Sequence, residues 1–187
     1  AALAFELESN LIEKNFDISQ GYQLTNKNTI SDNHINLDKI NFDQAFVHSS
    51  NIASVKIIEE IGVEKQKELF KKIGLIDTPN INGLNVVSNK GPRIWNDTYS
   101  KSMSYGYGIS LSPISLVSSF ATLVNGGIIV SPHIIKTKLN GNKKRVLSNE
   151  TSKQINILLE KVVENGTGKT AAVAGLKLGG KTGTSKN

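Results

Sequence analysis

The chain has 187 residues, a net charge of +6, 38% hydrophobic residues and no cysteine. That length suits one domain or part of a larger one, the composition excludes a disordered chain, and the missing thiols exclude a disulfide framework and any cysteine-based zinc site. The positive charge is nearly all Lys, thinly spread, with only Arg93 and Arg145 able to fork onto phosphates, which argues against nucleic acid as a partner; no apolar run nears the ~20 residues that cross a bilayer.

The opening AALAFELESNLI places Ala4, Leu7 and Leu11 at helical spacing with no capping residue and no initiator Met before them. This is the pattern expected of a chain that starts within a domain. From about Asn15 to Asn41 the sequence is rich in Asn and Asp, which predicts a long loop carrying short strands. Ile52, Val55, Ile58 and Ile61 then recur every third residue, a buried helix with Gly62 as its stop. The segment VEKQKELFKKIG repeats that device, with Leu69, Phe70 and Ile73 apolar and Gly74 ending it. Residues 75–104 read as irregular and hold the single Trp95.

A helix follows with Ser112 as N-cap, Pro113 in its first turn and Asn125-Gly126-Gly127 as its end. Residues from Pro132 to Ser148 predict a β-hairpin turning at Asn140-Gly141. The clearest amphipathic stripe comes next, with Ile155, Leu158, Leu159, Val162 and Val163 on one face. A last strand is expected to run toward Lys181. The class is α/β or α+β, helix-rich, without internal repeats.

The closing GLKLGGKTGTSKN supports two incompatible chemistries. From Gly175 it fits the G-x-x-x-x-G-K-[ST] loop that cradles phosphates, and from Lys181 it is the K-T-G-T of serine acyl-transfer enzymes. A phosphate loop needs a helix beginning at its Lys-Thr, whereas here Gly183 occupies the first turn. A second imitation, GTGKT at Gly166, has Val163 where the first Gly belongs. The acids around Asp32 fail as a calcium loop because Leu37 replaces the required Gly, and His34, His48 and His133 share no metal-like spacing. The G-x-G within YGYG at Tyr105 carries little information.

Serine acyl transfer needs a nucleophile, a proton acceptor, an oxyanion hole and a clamp on the substrate's carboxylate. A strand with a Gly at Gly183 lets a peptide lie against the backbone, Lys181 supplies positive charge, and the Thr182 and Thr184 hydroxyls can hold a carboxylate. An S-x-N motif is the partner, and Ser49-Ser50-Asn51 offers one at a helix start, although Ser and Asn there also read as ordinary N-capping.

The segment SSNIASVKIIEEIGVEKQKELFKKIGL resembles the one that follows S-x-N in class B penicillin-binding proteins. YGYGISLSPISLVSSFATLVNGGIIVSPHIIK is similar to their long G-Y-G-I-S-x-[ST]-P-x-Q-L-A-x-A-Y-A-x-x-A-N-G-G signature, and Lys181-Thr182-Gly183-Thr184 arrives 132 residues after Ser49. Three ordered matches cover most of the chain from Val47 onward, and SYGYGISLSP looks more like the division-specific members than the elongation enzymes.

The resemblance implies the helix-rich part of a transpeptidase domain of the penicillin-binding-protein and serine β-lactamase type, occupying residues 1–187 and truncated at both ends. Most of the central antiparallel sheet is then expected outside the chain. It implies a peptidoglycan D,D-transpeptidase that acylates a serine with a stem peptide, binds penicillin and other β-lactams, and uses no metal or organic cofactor. By the same resemblance, Ser49 relays a proton with Lys181 beside it, Asn51 holds the substrate amide, and Thr182 and Thr184 bind the carboxylate around Gly183. The Thr184 N–H supplies half the oxyanion hole. Membrane-bound division proteins are implied as partners, at the periplasmic face of the cytoplasmic membrane through an N-terminal anchor.

The chain departs from the family in one respect: S-x-x-K, which carries the nucleophile and its base, is absent from all 187 residues. AALAFELE resembles the helix that S-x-x-K begins, so the missing pair is expected just before Ala1, and the chain alone is expected to be inactive. A D,D-carboxypeptidase, a serine β-lactamase and a non-catalytic fragment are the competing readings. Ser49, Asn51 and Lys181 are expected along one cleft.

Overall fold

The computed structural model describes residues 1–32, 34–81, 84–136 and 144–183. The long helix α7 (Asn149–Asn165) is its axis. Ser148 caps it by accepting the Thr151 N–H at 3.0 Å, and all five residues of the sequence stripe, Ile155, Leu158, Leu159, Val162 and Val163, are buried. Helices α1 (Ala2–Glu6), α2 (Phe42–Val47) and α6 (Pro113–Val124) pack around α7. Apolar side chains from all these elements leave water together, which is the main drive for the packing.

The Asn- and Asp-rich region forms four short strands, β1 (Asn15–Asp17), β2 (Tyr22–Thr25), β3 (Asn28–Ile30) and β4 (Lys39–Asn41). They make two antiparallel pairs, β1 with β4 and β2 with β3. Phe16 opposite Ile40 places both side chains inward, so this ribbon closes the core over Phe42, Ile52 and Val55. Helix α3 (Asn51–Ile61) runs beneath it and ends where Gly62 takes φ 92°, a conformation costly for any residue with a Cβ. Helix α4 (Val63–Lys72) follows at once and buries Leu69. Helices dominate and the sheet is small, as the helix-rich α+β reading expects.

Two elements in this part of the fold differ from the sequence expectations. The first helix stops at Glu6 instead of running through Leu7 and Leu11. Glu8 turns left-handed at φ 47° and Ser9 starts a separate 3-10 turn (Asn10–Glu13), which carries Leu11 into the core while Leu7 faces solvent. Within the stretch expected to be irregular, α5 (Asp97–Ser104) forms against α3. Its buried positions are Ser100 and Met103, so it has almost no apolar period; Gln66 instead holds it, accepting the Ser100 hydroxyl at 2.8 Å and donating to the Ser100 carbonyl at 3.0 Å. The hairpin turn expected at Asn140-Gly141 lies outside the described residues.

Helix α6 begins as expected, with Ser112 accepting from the Ser115 N–H and Pro113 in the first turn. It is turned inside out, however: Ser115, Ser118, Ser119 and Thr122 are buried, while Leu116, Val117 and Phe120 are exposed. The small hydroxyls allow close approach, and Ser115 and Thr122 find partners, as when Thr122 donates to the Ser118 carbonyl at 2.9 Å.

Glu6 ties the first helix to the start of α7. Its carboxylate accepts the Ser148 N–H at 3.0 Å and the Thr151 hydroxyl at 2.7 Å, at the positive end of the helix dipole. Burial pushes its pKa up, but these hydrogen bonds and the Lys72 charge outweigh burial and leave it below the ordinary carboxylate value. The stabilisation is present above the unfolded-state pKa of Glu and is lost as pH falls through the lowered folded value. Glu6→Gln is expected to cost ~1 kcal/mol at neutral pH, in the range for a lost helix cap. Urea unfolding of the full protein at neutral pH and near pH 3 is expected to show the gap between variant and wild type narrowing with acid.

Candidate active site

Two chain segments far apart in sequence meet at the site. The first is the sharp link between α2 and α3. Asn41 and Gln44 form a capping box that starts α2, with the Gln44 N–H donating to Asn41 Oδ1 at 2.8 Å and the Asn41 N–H to Gln44 Oε1 at 3.0 Å. The helix ends at Val47, and within three residues Ser50 caps α3. Ser49 bridges them at φ 58°, the left-handed region that non-glycine residues seldom occupy.

A buried carboxylate holds this link. Asp32 is 5% exposed and accepts the Asn51 N–H at 2.8 Å, the Ile52 N–H at 3.2 Å and the Ser50 hydroxyl. The two N–H groups are orphan donors of the first turn of α3, which need an acceptor that the helix itself lacks. Ser50 Oγ in turn accepts the Ala53 N–H at 3.0 Å. On the other side, His34 Nε2 lies 3.0 Å from the His48 carbonyl oxygen. The backbone of Ser49 is therefore fixed from both flanks, which is how a strained φ persists.

The second segment leaves the end of α7. Gly166 presses on α2 so closely that a Cβ there would stand 2.4 Å from the Val47 carbonyl oxygen. The Thr167 N–H donates to that same oxygen at 3.3 Å. The chain then doubles back along α7, where the Gly180 N–H donates to the Leu159 carbonyl at 3.1 Å, and delivers Lys181 beside Ser49.

Lys181 Nζ donates to Ser49 Oγ, and to the Thr182 carbonyl at 3.2 Å, with the Phe46 ring centroid 6.0 Å away. Lys181 as a whole is exposed, yet its ammonium sits among these groups. That partial loss of water holds its pKa below the free-lysine value. Thr167 Oγ1 lies between two other hydroxyls, 3.4 Å from Ser49 Oγ and 2.7 Å from Thr182 Oγ1. An apolar cavity of about 360 Å³ opens on the inner side, lined by Phe42, Phe46, Ile58 and Leu159 with Lys181 at its edge. Ser119 shares that lining, and its buried hydroxyl has no partner among the described residues.

The structure thus brings Ser49, Lys181 and Thr182 together. Asn51 stands one helical residue beyond the Ser50 cap, half-buried, and exposed Gly183 follows Thr182. Thr184 lies outside the described residues. The strand expected to reach Lys181 is not formed: residues 176–183 have no ladder partner among the described residues, and a backbone hydrogen bond from Gly180 ties them to α7. A strand is defined by its neighbour, and sequence pattern alone does not supply one. No helix starts at Lys181 among the described residues, and the GTGKT imitation leads only into a 3-10 turn (Lys169–Ala171). Among the described residues neither place has phosphate-loop geometry. Among the described residues no His, Asp or Glu group could hold a metal ion.

Sequence reasoning passed over Asp32 and Thr167. Asp32 drew notice only as part of a failed calcium loop, and Thr167 only within a failed phosphate loop. Neither has a local pattern, because each acts on residues at least 15 positions away.

The profile of the penicillin binding protein transpeptidase domain family matches residues 1–187, and the chain belongs to that family. It is 34% identical over 175 residues to the "Probable peptidoglycan D,D-transpeptidase FtsI" of Caulobacter vibrioides, an alignment covering 90% of this chain and 29% of that protein. It is 33% identical to the stage V sporulation protein D of Bacillus subtilis, covering 74% of this chain and 24% of the relative. In structure it is similar to the TP domain of Burkholderia pseudomallei penicillin-binding protein 3, with a TM-score of 0.85 and 26% identity over 96% of this chain and 56% of the other. The chain spans about a quarter of the length of these two curated relatives.

Asp32→Ala leaves three donors at the head of α3 without their acceptor. A loss of ~3 kcal/mol is expected in urea unfolding of the full protein, from the range for hydrogen bonds to a buried charged group. A change under 1 kcal/mol would show that water replaces the carboxylate.

Proposed function

We propose that the chain is part of the transpeptidase domain of a peptidoglycan D,D-transpeptidase that works through an acyl-serine intermediate, binds β-lactams and serves septal wall synthesis. The observation that carries this reading is the hydrogen bond from Lys181 Nζ to Ser49 Oγ across 132 residues, in a chain of this family. The family supports an enzyme; the reaction, substrate and setting are the proposal. The domain would be completed by residues elsewhere in the full protein, with stem peptides as substrates, division proteins as partners and the site at the periplasmic face of the membrane. No described helix is itself long and apolar enough to cross a bilayer.

In this reading Ser49 and Lys181 serve the leaving group. Lys181 holds the Ser49 oxygen as an acceptor, which leaves the single Ser49 hydrogen to a second neighbour, the Thr167 oxygen at rest and the leaving group during the reaction. The Lys181 charge and the Thr182 hydroxyl face a substrate carboxylate, with Asn51 beside them for an amide. Attack on the substrate carbonyl needs a nucleophile, and no S-x-x-K supplies one within the 187 residues.

Fluorescent penicillin tests the reading directly. The full protein is expected to form a covalent adduct, the 187-residue chain alone none, and Lys181→Ala in the full protein to slow acylation about 10³-fold, the scale for losing one member of a cooperating set. An adduct on the isolated chain would place the nucleophile within these residues and overturn the division of labour.

The lowered Lys181 pKa gives a second test. The ammonium discharges as pH rises through a value below 10.5, the free-lysine figure. Reversible affinity for a carboxylate-bearing β-lactam is therefore expected to decline at alkaline pH earlier than an exposed lysine would dictate. Lys181→Arg, which stays charged, is expected to flatten that limb.

A further inference from the structure

We infer that Thr167 is a positioning residue that aims the Thr182 hydroxyl at the substrate's carboxylate; the inference rests on the transpeptidase reading above. Four polar groups stand in line: Lys181 Nζ, Ser49 Oγ, Thr167 Oγ1 and Thr182 Oγ1. An ammonium can only donate, so the Ser49 oxygen accepts from it. Thr167 Oγ1 lies 3.4 Å from the Ser49 oxygen and 2.7 Å from Thr182 Oγ1. Each hydroxyl has one hydrogen, so when Thr182 gives its own to a ligand, its oxygen is left to accept from Thr167. In that direction Ser49 donates to Thr167, Thr167 donates to Thr182, and the Thr182 hydrogen is given outward. An anion is the group that such an end selects, since it accepts without offering a competing hydrogen.

The backbone around Thr167 is built for this placement. The end of α7 is held by the Gly166 and Gly168 N–H groups, both donating to the Val162 carbonyl, at 3.1 and 3.0 Å. Gly166 lies so near the Val47 carbonyl that any side chain there would push the loop away, and the Thr167 N–H donates to that carbonyl. Thr167 is thus referenced to the last residue of α2, two positions before Ser49. Its side chain is exposed, so its hydroxyl has no packing role that demands these partners. Serine would keep the hydroxyl, and valine would keep the shape without it.

The test uses the full protein and two ligands, a penicillin and its methyl ester, which lacks the carboxylate. For Thr167→Val, the second-order acylation rate with penicillin is expected to fall about tenfold, one hydrogen bond's worth. The fall should appear in the reversible binding constant more than in the acylation step, while the slower rate with the ester stays within twofold. Thr167→Ser is expected to restore most of the penicillin rate, and thermal midpoints of both variants to match the wild type. An unchanged penicillin rate in Thr167→Val overturns the inference. So does an equal loss with both ligands, particularly with a lowered thermal midpoint, because that marks a structural role. If the unaltered protein takes up no penicillin at all, the transpeptidase reading fails first and this one with it.

Discussion

The site depends on one contact, the Val47 carbonyl at the end of α2 receiving the loop that leaves α7. Gly166 has no Cβ, and only that absence lets the loop backbone reach α2. From this contact the chain runs back along α7 and presents Lys181 to Ser49. A carbonyl oxygen has two lone pairs, and one at a helix end has no helical partner for either, so it is a natural anchor. The buried stripe of α7 supplies the force that keeps its end in place, since Leu158 and Val162 are fully enclosed.

The opposite side of Ser49 relies on charge. Asp32 gathers three donors at the start of α3, where the helix dipole also favours a carboxylate. Polar groups inside a protein are worth keeping only when each has a partner, and here each does. The outcome is a short, stiff elbow in which Ser49 accepts a left-handed backbone. In the proposed transpeptidase reading, such rigid placement is what a proton-relaying Ser49 would require, because proton transfer fails when the partners drift by an ångström.

Burial on the inner side is less complete. The apolar cavity beside Lys181 is bounded by side chains of α2, α3, α4, α6 and α7, and burial of the ammonium among its neighbours lowers the lysine's pKa. Helix α6 contributes Ser119 together with Leu116, Phe120 and Leu123 to this cavity. Its buried hydroxyls, Ser115, Ser118, Ser119 and Thr122, recur at helical spacing on one face, a stripe that hydrophobic patterning alone does not mark as the inner one.

The sequence by itself determined much of the helical frame and the family. Gly62 as a stop, Ser112 as a cap, and the stripe from Ile155 to Val163 are local features, readable because helix periodicity and capping act over four residues or fewer. Ser49-Ser50-Asn51 and Lys181-Thr182-Gly183 were visible as motifs, since the resemblance fixed their order. The tertiary structure alone decided the rest. Helix α5 has no apolar period and exists because Gln66 and α3 hold it. The first helix stops early because Leu11 reaches the core by another turn. Lys181 lies outside any strand, since strand formation depends on a neighbour that no local pattern encodes. Asp32 and Thr167 act across 18 and 118 residues, respectively, on Ser50 and Ser49, and contacts of that span leave no trace in the spacing of side chains along one segment.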